Sequence, residues 1–122
     1  MNQFRVIVAG SRTFKNYTAV RDSLDKILSK RIGVEEIIII SGHAKGPDQL
    51  GERYAEERGF KCETYEADWT KYGNAAGYQR NLQMSKVADG LVAFWDGQSK
   101  GTQNMINIMY KTGKPVRIVR IR

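Results

Sequence analysis

Three short stretches of the chain combine small residues with a cation, a hydroxyl or a carboxylate in the pattern of an anion site. Gly10-Ser11-Arg12 follows an apolar run. Ser41-Gly42-His43-Ala44-Lys45-Gly46-Pro47-Asp48 follows four isoleucines. Asp96-Gly97-Gln98-Ser99-Lys100-Gly101-Thr102 follows a third apolar run, GLVAFW. Glycines let the backbone approach a phosphate, and N–H groups that open a helix point at it while the helix dipole favours negative charge. Arg12 can grip phosphate oxygens bidentately. Asp48 is a first-turn acid placed to hold a ribose hydroxyl. His43, the only histidine, could shuttle a proton or touch a ligand. A fourth stretch, DWTKYGNAAG (68–77), precedes Arg80-Asn81. There Trp69 and Tyr72 could stack on a base, with Arg80 at a phosphate. Each group also has a structural role open to it. Ser99 or Thr102 can cap a helix, Asp48 can serve the helix dipole, and the aromatics can pack in a core or an interface.

What is missing narrows the chemistry. Neither GxGxxG nor GxxxxGK[ST] is present, so the common dinucleotide and nucleoside-triphosphate motifs are not supported. No Ser-His-Asp pattern or paired-carboxylate signature occurs. One cysteine, Cys62, excludes an internal disulfide and a cysteine cluster, and one histidine without such a cluster is no metal site. No metal and no cofactor are expected.

The elements that position these residues follow from periodicity. Strands are expected at 4–9, 35–41, 60–67, 90–95 and 115–121, the isoleucine run reading as a strand buried on both faces. Helices are expected from a cap at Asn16 or Thr18 to about 31, and at 47–58, 78–88 and 102–111. Pro47 suits a first helical position, and Gly59 and Gly113 are stops. In the third long helix Leu82, Met84 or Ser85 and Ala88 are expected to face inward. The alternation implies an α/β, Rossmann-like three-layer domain over 1–122, with a five-stranded parallel sheet in the order 3-2-1-4-5. The switch point then lies between strands one and four, and their loops face each other across a crevice, with the loop after strand two beside them.

At 122 residues, 41% hydrophobic and 27% charged, the composition is that of an ordinary globular protein. No apolar run approaches the roughly 18 residues that span a membrane. The start, MNQFRVIVAGSR, carries no signal-peptide pattern, so a cytoplasmic location is expected. The net charge of +7 permits a nucleic acid or an anionic small molecule. Basic residues are densest at the end, at Lys111, Lys114, Arg117, Arg120 and Arg122, where a solvated basic face is the plainer reading.

Together, VAGSRTF, IIIISGHAKGPDQLGERYAEERG, ADWTKYGNAAGYQRNLQM and ADGLVAFWDGQSKGTQNMI closely resemble the YspA-type branch of the SLOG superfamily, in that family's order and spacing. The superfamily also holds LOG-type cytokinin-activating phosphoribohydrolases and DNA-processing proteins of the Smf/DprA type. The resemblance implies a Rossmann-like fold that binds a nucleotide or a nucleotide-derived ligand. Its ligand site maps to Gly10, Ser11 and Arg12, to Ser41, Gly42 and Asp48, to Arg80 and Asn81, and to Gly101 and Thr102. LOG enzymes carry a glutamate three residues after their GT pair and use it, with an arginine, to cleave an N-glycosidic bond. The arginine has a counterpart in Arg80, but the glutamate position is Met105. A hydrolase would have to recruit Asp48, Glu52 or Asp96.

The expected function is therefore binding of a nucleotide-derived ligand, ADP-ribose-like for example, as a sensor or sequestering protein. The resemblance places such a role in phage defence or counter-defence. Two alternatives stay open: a nucleosidase or phosphoribohydrolase with Arg80, Asp48 and Glu52 as its candidates, and a single-stranded nucleic-acid binder. By analogy with relatives a homo-oligomer is expected, with Trp69, Tyr72 and Tyr110 suited to an interface. No membrane partner is expected.

Overall fold

Two layers of helices sandwich one parallel sheet, in a computed structural model that describes residues 2–44 and 46–121. The strands are β1 (Gln3–Gly10), β2 (Glu36–Ser41), β3 (Lys61–Thr64), β4 (Gly90–Trp95) and β5 (Val116–Arg120). Their order is β3-β2-β1-β4-β5, with every neighbouring pair parallel. The helices are α1 (Tyr17–Ile27), α2 (Pro47–Arg58), α3 (Trp69–Tyr72), α4 (Ala76–Val87) and α5 (Lys100–Thr112), and a 3-10 turn (Gly73–Ala75) joins α3 to α4.

Period-two alternation in β1 divides the core. Val6 and Val8 join Val20, Leu24, Ile39 and Tyr54 beneath α1 and α2. Ile7 and Ala9 join Met84, Leu91, Met105 and Met109 beneath α4 and α5. A strand filled on both faces explains the unbroken apolar runs of β1, β2 and β4. The edge strands β3 and β5 are short and carry charged, exposed side chains, which discourages pairing with another chain. Because β2 lies on one side of β1 and β4 on the other, the carboxyl ends of β1 and β4 diverge into separate loops. The crevice of the fold opens there.

Local chemistry sets the element boundaries. Asn16 caps α1, its Oδ1 accepting from the Ala19 N–H at 3.1 Å. Asn16→Ala is expected to cost about 1 kcal/mol, read as a lowered thermal midpoint without loss of cooperativity. The helix ends at Ile27 rather than near 31, because the Leu28 backbone leaves the helical region (φ −92, ψ 2) while its side chain stays buried. The 68–77 stretch is less irregular than its sequence suggests. Asp68 accepts from the Lys71 N–H at 3.0 Å and so starts the short α3.

Two further differences concern the crevice. Helix α5 begins at Lys100, two residues before its expected start, because Asp96 Oδ1 accepts from the N–H groups of Gln98 (2.8 Å) and Ser99 (2.9 Å) and turns the chain into the helix early. In α4 the inward face carries Asn81, Met84 and Ser85, continued by Ala88 at the helix end, whereas Leu82, expected inside, is 41% exposed. Asn81 turns inward because its Nδ2 donates to Gly101 O and Asn104 Oδ1. Among the described residues no helix is long and apolar enough to cross a membrane.

Candidate functional site

A cleft of about 320 Å³ lies at the carboxyl ends of β1 and β4. Its walls come from four places. The β1 loop gives Gly10, Ser11, Arg12 and Thr13, and the β2 loop and the start of α2 give Ala44 and Asp48. Helix α4 gives Arg80, Asn81 and Met84. The β4 loop and α5 give Asp96, Ser99, Gly101, Thr102 and Met105.

The loops reach one another because two positions lack a Cβ. Gly10 pairs with Phe94 across β1 and β4, and a Cβ there would lie 2.2 Å from Phe94 O and 2.8 Å from the Pro47 ring. At Gly42 a Cβ would lie 2.9 Å from both Arg80 Nε and Asp48 Oδ2. Arg80 and Asp48 therefore converge over a bare backbone. A hydrogen bond at 3.1 Å from Asp96 N–H to Ser11 Oγ locks the β1 and β4 loops together.

Charge is arranged unevenly. Arg12 and Arg80 have no carboxylate within ion-pair distance among the described residues. Arg80 donates from Nη1 to Gly42 O at 3.2 Å, but its Nε is buried and has no partner. Burial lowers the pKa of Arg80, and the nearby Arg12 charge adds to that, while Asp48 opposes it. Burial also pushes the Asp48 carboxyl up to about 7, against the attraction of Arg80. The N–H groups of Gly101 and Thr102 belong to the first turn of α5, where no carbonyl four residues back can accept them, and no side chain caps this helix.

The Asp48 shift makes a prediction of definite sign. An acid whose folded pKa lies above its ordinary value holds a proton that the unfolded chain has already released. Its contribution is complete at low pH and is lost as the pH rises towards about 7. Asp48→Asn is expected to flatten that slope and to raise stability above pH 7 by up to about 4 kcal/mol, measured by urea unfolding across pH 4–8. His43, whose pKa is raised by its hydrogen bond to Glu52, slopes the same way, and the difference between the two profiles removes its share.

The other residues singled out in the sequence fall into distinct positions. Ser41 is fully buried beneath the loop, its one O–H shared between Glu52 Oε2 (2.7 Å) and the more distant Asp48 O (3.1 Å) while its oxygen accepts from His43 N–H (3.0 Å). His43 Nδ1 meets Glu52 Oε2 at 2.8 Å. The carboxylate thus stands between the serine and the histidine, so the histidine cannot take the serine proton. This network holds His43 in a left-handed backbone conformation (φ 56) and shapes the loop. Glu52 is engaged there and does not line the cleft. Asp96 lines the cleft, but its carboxylate is committed to Ser99 and then Gln98, whose N–H groups hold its pKa low. Gly97 lies outside, in a turn beside the Arg120 guanidinium.

Gly42, His43 and the 58%-exposed Trp69 line an adjoining cavity, and Tyr72 lines a third, beside Lys71 and Gln79. Arg80 is common to all three spaces. Sequence reasoning did not name Thr13, Ala44 or Met84 as lining residues, because they carry no chemical signature, whereas Met105, named as the residue at the LOG glutamate position, does line the cleft. Among the described residues no cluster of three or more histidine, cysteine or acidic side chains is placed to hold a metal ion.

The YAcAr family, described as the YspA, cpYpsA-related SLOG family, matches residues 4–72. The Gene 61 protein of Mycobacterium phage D29 is 35% identical over 119 residues, covering 92% of this chain and 93% of the phage protein. Two crystal structures share the fold. TM1055, a structural-genomics target, has a TM-score of 0.65 at 23% identity over 95% of this chain and 72% of its own. DNA processing protein A (DprA) from Streptococcus pneumoniae has a TM-score of 0.71 at 18% identity over 96% of this chain. The present chain spans half the length of DprA. The match over residues 4–72 and the near full-length likeness to the phage protein place this chain in the YspA, cpYpsA-related SLOG family.

Proposed function

We propose that the protein binds a nucleotide or nucleotide-derived small ligand in the cleft at the carboxyl ends of β1 and β4, as a sensor or a sequestering protein. One observation carries this reading. Two guanidinium groups with no carboxylate partner among the described residues, one of them with a buried and unsatisfied N–H, face a cleft that also receives the open first turn of α5. A phosphate supplies both the charge and the acceptors that this arrangement lacks. Arg12, Arg80, Gly101 and Thr102 hold the phosphate, with Gly10 and Ser11 beneath it. Asp48 takes the sugar hydroxyls, and Trp69 or Tyr72 takes the base. Asn81, Asp96 and Ser99 hold the α5 terminus in place. A relative encoded by a phage supports a place for such sequestration in phage defence or counter-defence. The exposed Tyr78, Leu82, Val87 and Tyr110 on α4 and α5 support self-association.

A second reading, cleavage of an N-glycosidic bond, has its own support. The Asp48 carboxyl, with a pKa of about 7 beside Arg80, could donate a proton to a leaving base or stabilise positive charge on the sugar. Met105, buried in the floor where LOG enzymes carry a glutamate, weighs against it.

The test is a thermal-shift screen of nucleoside monophosphates, NAD, ADP-ribose and cyclic dinucleotides, with chromatography of each mixture afterwards. A ligand at 100 times its dissociation constant adds about 2.7 kcal/mol of stability. A shift with the ligand recovered intact is the expected result. Release of free base, lost in Asp48→Asn, would establish the hydrolase instead. No shift, together with DNA binding that weakens steeply with salt, would move the function to nucleic acid.

A further inference from the structure

The net charge is not spread evenly over the molecule. Residues 1–68 hold eleven basic and eleven acidic side chains, whereas residues 69–122 hold nine basic and two acidic, so the second stretch carries the whole +7. Both of its acids serve the chain itself. Asp89 accepts from the Arg5 N–H at 2.9 Å, and Asp96 turns the chain into α5. Helices α4 and α5 contain no acid.

A groove of about 450 Å³ lies on this acid-free face, between the later turns of α4 and α5. Leu82 and Ile108 give it aliphatic walls, and Lys86, Lys111 and Lys114 line it with them. Lys114 is engaged, its Nζ donating to Ser85 O at 2.8 Å. Lys86 and Lys111 are exposed, with no carboxylate within ion-pair distance among the described residues. Lys111 stands about 15 Å along α5 from Gly101, so the groove and the phosphate site use opposite ends of the helix.

This lining fits one kind of occupant. Exposed lysines add little energy each, but they set the sign of what approaches. An aliphatic side chain seated between Leu82 and Ile108 is removed from water. The lysine stems extend that apolar surface while their ammonium groups reach carboxylates on either side. Neither an arginine fork nor an aromatic ring lines the groove, and those are the groups that grip nucleic acid and stack on its bases. Two copies meeting groove to groove would set Lys86 and Lys111 against their counterparts, so self-association through the neighbouring tyrosines would have to leave the groove outside the contact.

We infer that this groove docks an acidic segment of a partner protein, with an aliphatic side chain between Leu82 and Ile108 and flanking carboxylates at Lys86 and Lys111. The groove shares no lining residue with the cleft, so it stands apart from the nucleotide-binding reading.

Selection of random short peptides displayed on phage against the full chain tests it. The peptides recovered are expected to place a leucine, isoleucine or valine beside two or more acidic residues. A synthetic peptide of that consensus should shift the backbone amides of Leu82, Lys86, Ile108 and Lys111. It should bind the double variant Lys86→Glu, Lys111→Glu at least tenfold more weakly, and the same peptide with its acids changed to lysine should prefer that variant over the original protein. Both lysines are exposed, and an unchanged thermal midpoint confirms the fold of the variant. Leu82→Ala, at a 41% exposed position, should weaken binding without the charge change. Peptides selected without acidic bias, peptides indifferent to the charge reversal, or no selection at all would overturn the inference. So would single-stranded DNA or phosphatidylglycerol vesicles bound through the same two lysines where no peptide binds, or a dimer that the double variant dissolves. Those results would give the groove to nucleic acid, to a membrane or to a second copy.

Discussion

Arg80→Met is expected to abolish ligand binding while leaving the empty protein as stable as before, or more so. The two effects have one cause. In the unliganded protein the guanidinium is desolvated without an ion-pair partner among the described residues, and its Nε has nothing to bond. Arg80 is half-buried, and replacing a desolvated charge that lacks an ion-pair partner with an apolar chain of similar length recovers its desolvation cost. One hydrogen bond, to Gly42 O, is lost in exchange. The thermal midpoint should therefore stay level or rise by a few degrees. With a phosphate bound, the same guanidinium makes charge-assisted bonds in a desolvated cleft, and truncating such a partner costs about 2–5 kcal/mol. Affinity should fall by two orders of magnitude or more. The substitution also removes the largest of the interactions that restrain Asp48, leaving the Ala44 and Gly42 N–H groups, so the carboxyl should titrate higher still. A drop in stability with affinity retained would mean that Arg80 is a structural residue. Arg80→Lys is not expected to rescue binding, because an ammonium cannot present the guanidinium fork.

Gly10→Ala is expected to cost about 3 kcal/mol or more, seen as a fall in thermal midpoint on the order of 10 °C. The added Cβ would stand 2.2 Å from the Phe94 carbonyl oxygen, which already accepts the Ser11 N–H at 2.9 Å. Backbone in the middle of a parallel sheet cannot move aside as the end of a flexible side chain can. The nearest relief is to part β1 from β4, which also parts the two loops that Ser11 and Asp96 hold together. Ligand affinity should fall with stability, unlike in Arg80→Met. Gly101→Ala is the control. Its Cβ meets nothing within 4 Å, so stability should hold or rise by up to about 1 kcal/mol.

The contrast between these two glycines shows what was legible in the sequence. Both belong to Gly-rich loops and look alike on paper. One is compelled by a carbonyl from a strand 84 residues away in the chain (Gly10 against Phe94), and the other is open to the cleft. The strand order and the convergence of the loops were readable, because apolar runs and helix punctuation are local signals and the alternation admits few topologies. Residues that act through long-range partners were not readable in that way. Asp96 has the composition of a ligand group, yet its carboxylate is spent on the turn that starts α5 early. Leu82 obeys helical spacing, yet Asn81 takes the inward position because Gly101 O and Asn104 are there to receive it. His43 and Glu52 lie nine residues apart, and only the turn into α2 brings them to 2.8 Å. Trp69 and Tyr72 are three residues apart in one motif, but they face different cavities.

The most direct test of the site is a titration of AMP and ADP-ribose into isotopically labelled protein, followed by the backbone amide resonances. The largest shifts are expected at Gly101 and Thr102 in the first turn of α5 and at Ser11 and Ala44 around the cleft, saturating with one ligand per chain and absent in Arg80→Met. Shifts confined to the basic strand β5, around Arg117 and Arg120, or none at all, would contradict the account.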